Sequence, residues 1–487
     1  MKRNLWITLC LPLLLCGCND WLDVKSNTNI IEKDIFSENS GFHTAVNGVY
    51  NLVGDRRLYG CDLTYGMASV LGNNYQETSL PTAYAGLAQG DYESKASTGI
   101  IDPVWEKAYE AIANCNNIIK QAESKSNGFF DEGELEKNMI IGEMKGVRAM
   151  LHLDILRLFA PIPSLAGSDK YIPYVENFPD RQPEHKTVAQ VMELIVRDLK
   201  DAKDALKYLD TEYNTGAIDS YGARMAGSVA AGSPLKSKFF TTRGARMNYF
   251  AATALLARAY LWNGEDEKAY NEAKEIYDFN VSRQWYQCTP QTTFTNYWKM
   301  PHDILFASYN KKMYDVLTDV LATSTYDINF YYKHEDVLFG GDTDDFRYLY
   351  LLLDDAYEAG RHLSLRWHIS TGMVMPTEGP LAPVMRMSEV LYIICEYMIR
   401  NGSKAEAIGM LNDFRFERGA KAEISATMTD EEALDALYND FTRESMSEGQ
   451  TFFLYKRLNR PIFNGATPKD MTGLYVLPIP YSENAYM

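Results

Sequence analysis

The seven histidines, at positions 43, 152, 185, 302, 334, 362 and 368, are scattered along the chain. Only His362 and His368 lie near each other, and a separation of six suits neither face of a helix. They are read as structural or solvent-facing groups. The chain carries no His-Glu-x-x-His, no Gly-x-Ser-x-Gly elbow and no Gly-rich loop ending in Lys-Ser/Thr, so metalloprotease, serine-hydrolase and nucleotide chemistry lack their signatures. Asp342-Thr343-Asp344-Asp345 offers oxygen donors for calcium, but it lacks the glycine at position six and the glutamate at position twelve of an EF-hand loop. Any two of the 65 acidic residues could converge as the carboxyl pair of a glycoside hydrolase, yet no local pattern favours a pair. The expectation is therefore no catalytic residue, no metal and no cofactor.

Cysteine placement carries the strongest single signal. Lys2 and Arg3 precede an almost unbroken apolar stretch over residues 5–15. About eleven residues are too few to cross ~30 Å of hydrocarbon as a helix, so the stretch reads as the h-region of a signal peptide. It ends in Leu15-Cys16-Gly17-Cys18, the arrangement processed in bacterial lipoproteins. Residues 1–17 are then a signal peptide, Cys18 the lipidated amino terminus and residues 18–29 a polar tether. Several acyl chains on one cysteine anchor stably, since each buried CH₂ contributes ~0.8 kcal/mol. Of the seven cysteines, Cys61, Cys115, Cys288 and Cys395 remain, with no Cys-x-x-Cys pair for zinc. Cys115 and Cys395 fall on apolar helix faces, and a Cys61–Cys288 disulfide stays open. A net charge of −17 argues against a nucleic-acid partner.

The elements that must position any site are helical. Trp105, Ala108, Tyr109, Ile112, Cys115 and Ile119 recur at three and four, which predicts an amphipathic helix. A second helix is predicted over 134–159, stopped by Pro161 and Pro163, and a third over about 187–209. Residues 215–238, rich in Gly, Ala and Ser, read as a long surface loop or disorder. Leu256, Ala257, Tyr260, Gly264, Ala269 and Ala273 then share their offsets with Ile394, Cys395, Met398, Gly402, Ala407 and Leu411. Small residues at matching positions around a glycine turn predict tetratricopeptide-like hairpins whose helices approach closely. Residues 279–379 are instead dense in aromatics, Gly and Asp, and predict loops with a few short strands.

Several motifs fall in order along the chain. Asn19-Asp20-Trp21-Leu22-Asp23 follows the lipid cysteine, then Ala45-Val46-Asn47-Gly48-Val49-Tyr50 and the Trp105–Asn117 helix. GEMKGVRAMLHLDILRLFAPIP spans 142–163, and Arg386-Met387-Ser388-Glu389 opens a later helix. Arg443-Glu444, Glu448-Gly449-Gln450 and Phe452-Phe453 come next, and Leu477-Pro478-Ile479-Pro480 with Ser482-Glu483 closes the series. Together they resemble the SusD/RagB family of outer-membrane nutrient-binding lipoproteins of Bacteroidetes-type bacteria. Arg443-Glu444-Ser445-Met446 and Leu454-Tyr455 depart from the family's usual run, at positions concerned with helix packing.

The resemblance implies a mainly α fold of about four tetratricopeptide-like hairpins with a loop-rich ligand-binding region packed on them. It divides the mature chain into residues 30–230 and 231–487, the latter holding the aromatic insertion 279–379. It implies a SusC-type TonB-dependent transporter as partner, on which such proteins sit as a hinged lid, and oligosaccharides or in some members peptides as ligands. Placement is then the outer membrane, facing outward. Asn73, Asn74, Tyr75 and Tyr84, before the Trp105 helix where the family tends to place sugar contacts, are candidate ligand residues. Trp285 and Trp298 are added from the insertion. Arg148, Arg386, Glu389, Arg443, Glu444 and Glu448 are assigned to structure.

Overall fold

Local capping and apolar periodicity set the helices. In the computed structural model these are α1 (Asn39–Val53), α2 (Thr82–Gln89), α3 (Lys95–Glu123), α4 (Gly133–Phe159) and α5 (Val188–Tyr208). They continue as α6 (Tyr249–Trp262), α7 (Asp266–Arg283), α8 (Met313–Leu321), α9 (Met387–Arg400), α10 (Lys404–Glu417), α11 (Asp430–Glu444) and α12 (Gln450–Leu458). The structure describes residues 34–228, 234–235, 237–321, 329–333, 335–355, 360–367, 378–463 and 468–484. The signal segment, Cys18 and the 18–29 tether lie outside the described residues.

Helix ends follow familiar chemistry. Thr187 and Gln190 close a reciprocal capping box on α5, and Thr429 and Glu432 do the same on α11. The helix around Trp105 starts ten residues earlier than that tryptophan, at Lys95, with Ser94 accepting from the Ser97 amide at 3.3 Å. Helices adjacent in the chain pack as pairs: α3 with α4, α6 with α7, α9 with α10 and α11 with α12. α5 fills the space between α4 and α6. The mainly α architecture with about four hairpins is as predicted.

One detail of the hairpins differs. Gly264 (φ 76°) and Gly402 (φ 88°) both adopt the left-handed conformation, and a Cβ at either would meet open space. The turns need glycine for backbone freedom, not for close helix approach. Close approach occurs instead between α4 and α5. A Cβ on Gly142 would lie 2.8 Å from Ala205 Cβ, and one on Gly146 would lie 3.3 Å from Ala202 Cβ.

Three antiparallel two-stranded sheets carry the looped region: β1 (Lys170–Pro173) with β2 (His185–Thr187), β3 (Ile304–Tyr309) with β6 (Leu381–Arg386), and β4 (Leu352–Asp354) with β5 (His362–Ser364). Pairing of Tyr309 with Leu381 makes the insertion leave and rejoin the scaffold at one place. The predicted surface loop at 215–238 is partly interior. Arg224 is buried and donates to the carbonyls of Trp285, at 2.9 Å, and His302. These polar contacts, rather than an apolar face, hold the segment around Arg224. One apolar core runs from Phe36 to Leu477 and includes Cys115 and Cys395. Cys61 and Cys288 are free thiols, so the disulfide left open by spacing is not formed.

Candidate functional site

Two loops, one helix and one hairpin meet around a cavity of about 220 Å³. Its walls are the rings of Tyr65, Tyr75, Phe330 and Trp367, with Leu317 and Leu321 from α8 and Leu363 from β5. Thr318, Asn329 and Ser364 supply hydroxyl and amide groups, and among the described residues no acidic or basic side chain lines it. The rings pack at angles: Tyr65 and Trp367 have centroids 4.7 Å apart at 36°, and Tyr75 and Phe330 are 5.1 Å apart at 51°. Tilted pairs hold aromatic faces at fixed directions, which a flexible aliphatic wall could not do.

Main-chain hydrogen bonds lock the wall. Gln76 N donates to Tyr331 O (2.9 Å), Lys333 N to Asn74 O (3.0 Å) and Tyr332 N to His362 O (2.8 Å). His362, one strand position from Leu363, places Nδ1 against Glu335 and Nε2 2.9 Å from Asp354. The hydrogen bond to Glu335 is the main cause holding the imidazole above its ordinary pKa, against burial, which lowers it.

Behind the wall lies a buried network of ions. Trp367 Nε1 donates to Ser447 O at 2.9 Å, while the adjacent Arg366 donates to Glu448 at 2.8 Å. Glu448 also accepts from Arg386, which reaches Asp303 at 2.9 Å. Arg418 bridges Asp303 (2.6 Å) and Glu444 (2.5 Å), and Arg347 joins Asp345, Asp440 and Glu444. Burial alone would raise the Glu444 carboxyl, but Arg418 and Arg347 hold it far below the usual carboxylate range. Lys299 sits 4.2 Å from the Trp367 ring centroid and donates to the Gly379 and Leu381 carbonyls at 2.6 Å. Burial pushes its pKa down to about 7.

The motif residues assigned to structure are in this network or its relatives. Arg148 pairs with Asp198 at 2.6 Å, and Glu389 with Arg258 at 2.6 Å. Arg443 donates to Leu338 O at 2.9 Å. The Asp342–Asp345 run faces protein donors: Asp342 accepts from the Lys421 amide at 3.1 Å, and Asp345 caps the Phe346–Leu351 helix and pairs with Arg347. His152 is buried, with Nδ1 donating to Arg148 O at 2.9 Å and Nε2 accepting from Val175 N at 3.0 Å.

Of the six nominated ligand residues, Tyr75 lines the cavity. Asn73 and Asn74 are buried beside it, Asn74 donating to Thr451 at 3.4 Å and Asn73 accepting from Lys333 at 3.3 Å. Tyr84 is one ring further back. It lies on α2, edge-on to Phe330 at 5.4 Å, and its hydroxyl donates to Asp62 at 2.9 Å. Burial pushes that carboxyl up to about 6. Trp285 and Trp298 lie elsewhere: Trp285 packs on Phe250 and Phe279, and Trp298 on the cluster of Phe294, Met300, Phe346 and Leu351. Sequence reasoning missed Tyr65 and Phe330 as wall residues. It noted Trp367 within the aromatic run but had no signal for the side on which its ring falls.

Residues 20–218 match the model of the SusD-like family described as "Starch-binding associating with outer membrane". The fold is similar to that of a SusD superfamily protein from Bacteroides thetaiotaomicron, with a TM-score of 0.73 and 21% identity over 92% of this chain and 98% of that one. A SusD superfamily protein from Bacteroides vulgatus gives a TM-score of 0.70 at 20% identity, covering 92% and 97%. A SusD-like carbohydrate binding protein from Bacteroides vulgatus gives 0.68 at 14%, covering 92% and 96%. No curated protein matches the chain.

Proposed function

Residues 20–218 match a SusD-like family model and the whole fold is similar to SusD superfamily proteins, and from that premise we propose that the chain is a SusD/RagB-family protein that captures neutral oligosaccharides at the outer cell surface and acts as the lid of a SusC-type TonB-dependent transporter. One observation carries the reading: four aromatic rings enclose one cavity whose polar groups are hydroxyls and an amide, with no ionised side chain among the described residues of its lining. Ring faces suit the apolar sides of sugar rings, and the hydroxyl and amide groups suit their alcohols. At about 220 Å³ the cavity is below the ~300–1,000 Å³ of pockets that engulf drug-sized ligands, so it takes one sugar unit while the rest of the chain crosses the surface.

The same lining separates the rival readings. A glycoside hydrolase needs two carboxyl groups flanking the scissile bond, and the described lining offers none. A peptide ligand, the alternative within the family, favours charged partners for its termini and side chains, which the described lining does not offer. Lipidation at Cys18 and the 18–29 tether supply the membrane placement and the slack for a lid. Ligand-coupled closure requires contacts made only in the closed state.

The test is calorimetry of the full chain in detergent against a panel of neutral oligosaccharides, starch-derived ones included. Thr318 is exposed at the cavity rim, so Thr318→Trp fills the cavity without disturbing the core. A saturable titration that weakens at least tenfold in the variant supports the reading. Flat titrations across the panel, or unchanged affinity in Thr318→Trp, would refute it.

A further inference from the structure

Five helices of the scaffold, α4, α6, α9, α11 and α12, enclose a second cavity of about 50 Å³ that shares no lining residue with the aromatic one. This exceeds the ~10–15 Å³ that one water-sized guest requires and is far below the ~300 Å³ of small-molecule pockets. Its occupant is therefore monatomic or close to it. Arg157 reaches the cavity from α4, and Arg258 and Trp262, four apart and so on one helix face, reach it from α6. All three side chains are more than nine-tenths buried.

Each of the three keeps one nitrogen without a hydrogen-bond partner among the described residues: Arg157 Nε, Arg258 Nη1 and Trp262 Nε1. The neighbouring carboxylates are already engaged. Asp154 accepts from Arg157 Nη2 and from Tyr59, both at 2.6 Å, Glu389 from Arg258 Nη2 at 2.6 Å, and Glu396 from Arg457 at 2.7 Å. No other buried side-chain nitrogen or oxygen of the described lining lacks a partner, so every unmet group is a donor. A buried unpaired donor carries its full desolvation penalty, and helix packing gives no account of three at one cavity. Burial does most to lower the Arg157 pKa; Asp154 opposes it, and the Arg258 charge adds to it. A negative charge beside both guanidinium groups would relieve that repulsion. A water could accept two of the three hydrogen bonds but would bring two protons of its own. A halide accepts all three and donates none.

We propose that this cavity is a binding site for one small monovalent anion, chloride in a saline medium, held by Arg157, Arg258 and Trp262. Hydrogen bonds to an ionised acceptor are the strong ones, and here they tie α4 to α6. The anion binds the folded scaffold and not the unfolded chain, so the stability of the protein depends on which anion surrounds it.

The experiment follows the thermal midpoint of the full chain in detergent as sodium gluconate, too large for the cavity, is exchanged for sodium chloride at constant ionic strength. The midpoint is expected to rise with chloride and to follow a binding curve. Trp262→Phe keeps a ring but removes one donor, and should weaken the apparent chloride affinity about tenfold, the worth of one hydrogen bond to a charged group. Thr318→Trp should leave the chloride dependence unchanged, which separates this site from the sugar cavity. Crystals of the unmodified chain grown in bromide should show an anomalous-scattering peak beside the three nitrogens, a readout that does not depend on how the variant folds. Equal midpoints in the two salts, no bromide peak in the cavity, or a chloride dependence unaltered by Trp262→Phe would overturn the proposal.

Discussion

The wall of the aromatic cavity and the ion network behind it sit back to back and are made of opposite materials. Adjacent residues divide the labour. Trp367 turns its ring to the cavity while Arg366 enters the network, and their partners Ser447 and Glu448 are adjacent too. The cavity needs rings at fixed angles but gains nothing from charge. The network consists of charges removed from water, stable only because each meets several partners. The contrast teaches that the rings of the cavity are positioned by charged groups that do not line it.

Removing a network member should break both sides. Arg386→Ala strips Glu448 and Asp303 of a shared cation, and breaking such buried pairs costs about 3–5 kcal/mol. Urea unfolding should show that loss together with weakened sugar binding. A destabilisation below about 1 kcal/mol would mean that the network behaves like surface charge.

Trp367→Phe sharpens the boundary between the two regions. It keeps a ring in the cavity but removes the Nε1 donor to Ser447, and an unsatisfied buried acceptor costs ~1–3 kcal/mol. Sugar affinity should fall through loss of orientation. If affinity stays intact while stability falls, the rung serves the fold alone.

The smallest effect is expected from pH. His362 gains carboxylate partners in the folded protein and its pKa is raised. Its contribution is therefore complete below the unfolded histidine value of about 6.5 and is lost as pH rises through the folded value. Glu335, Asp354 and the neighbouring Tyr348 ring face this imidazole. Because Leu363 and Ser364 follow it on β5, sugar affinity should decline modestly from pH 5.5 to 8.5. His362→Gln should flatten that profile, and a slope that persists in the variant would assign it to another group.

Much of the scaffold was legible because helices announce themselves locally. The repeat around Gly264 and Gly402, the helix over about 187–209 and the proline stop after Phe159 needed no tertiary knowledge. The structural roles of Arg386, Glu389 and Glu444 followed from a family resemblance. The site was less legible, because ring direction depends on partners far away in the chain. Tyr75 and Tyr84 lie nine residues apart in one stretch, yet one faces the cavity and the other faces Asp62 behind it. Trp285 and Trp298 looked equally suited to a ligand, and both pack onto other aromatics. The part around Arg224 misled for the converse reason: that side chain is held inside by hydrogen bonds that leave no periodic mark.

The core that runs from Phe36 to Leu477 has a consequence for how the protein is made. Tyr92 donates to Leu474 O at 2.8 Å, Leu477 N to Leu158 O at 3.0 Å, and Gly449 N to Ser69 at 3.2 Å. The first helices to be synthesised thus wait for about the final tenth of the chain before their last face is covered. Contacts of such wide sequence separation fold slowly and leave apolar surface open in the meantime. A chain stalled or clipped before residue 445 would stay open to proteases. Completion of synthesis is in effect a checkpoint, passed before the aromatic cavity has its full support.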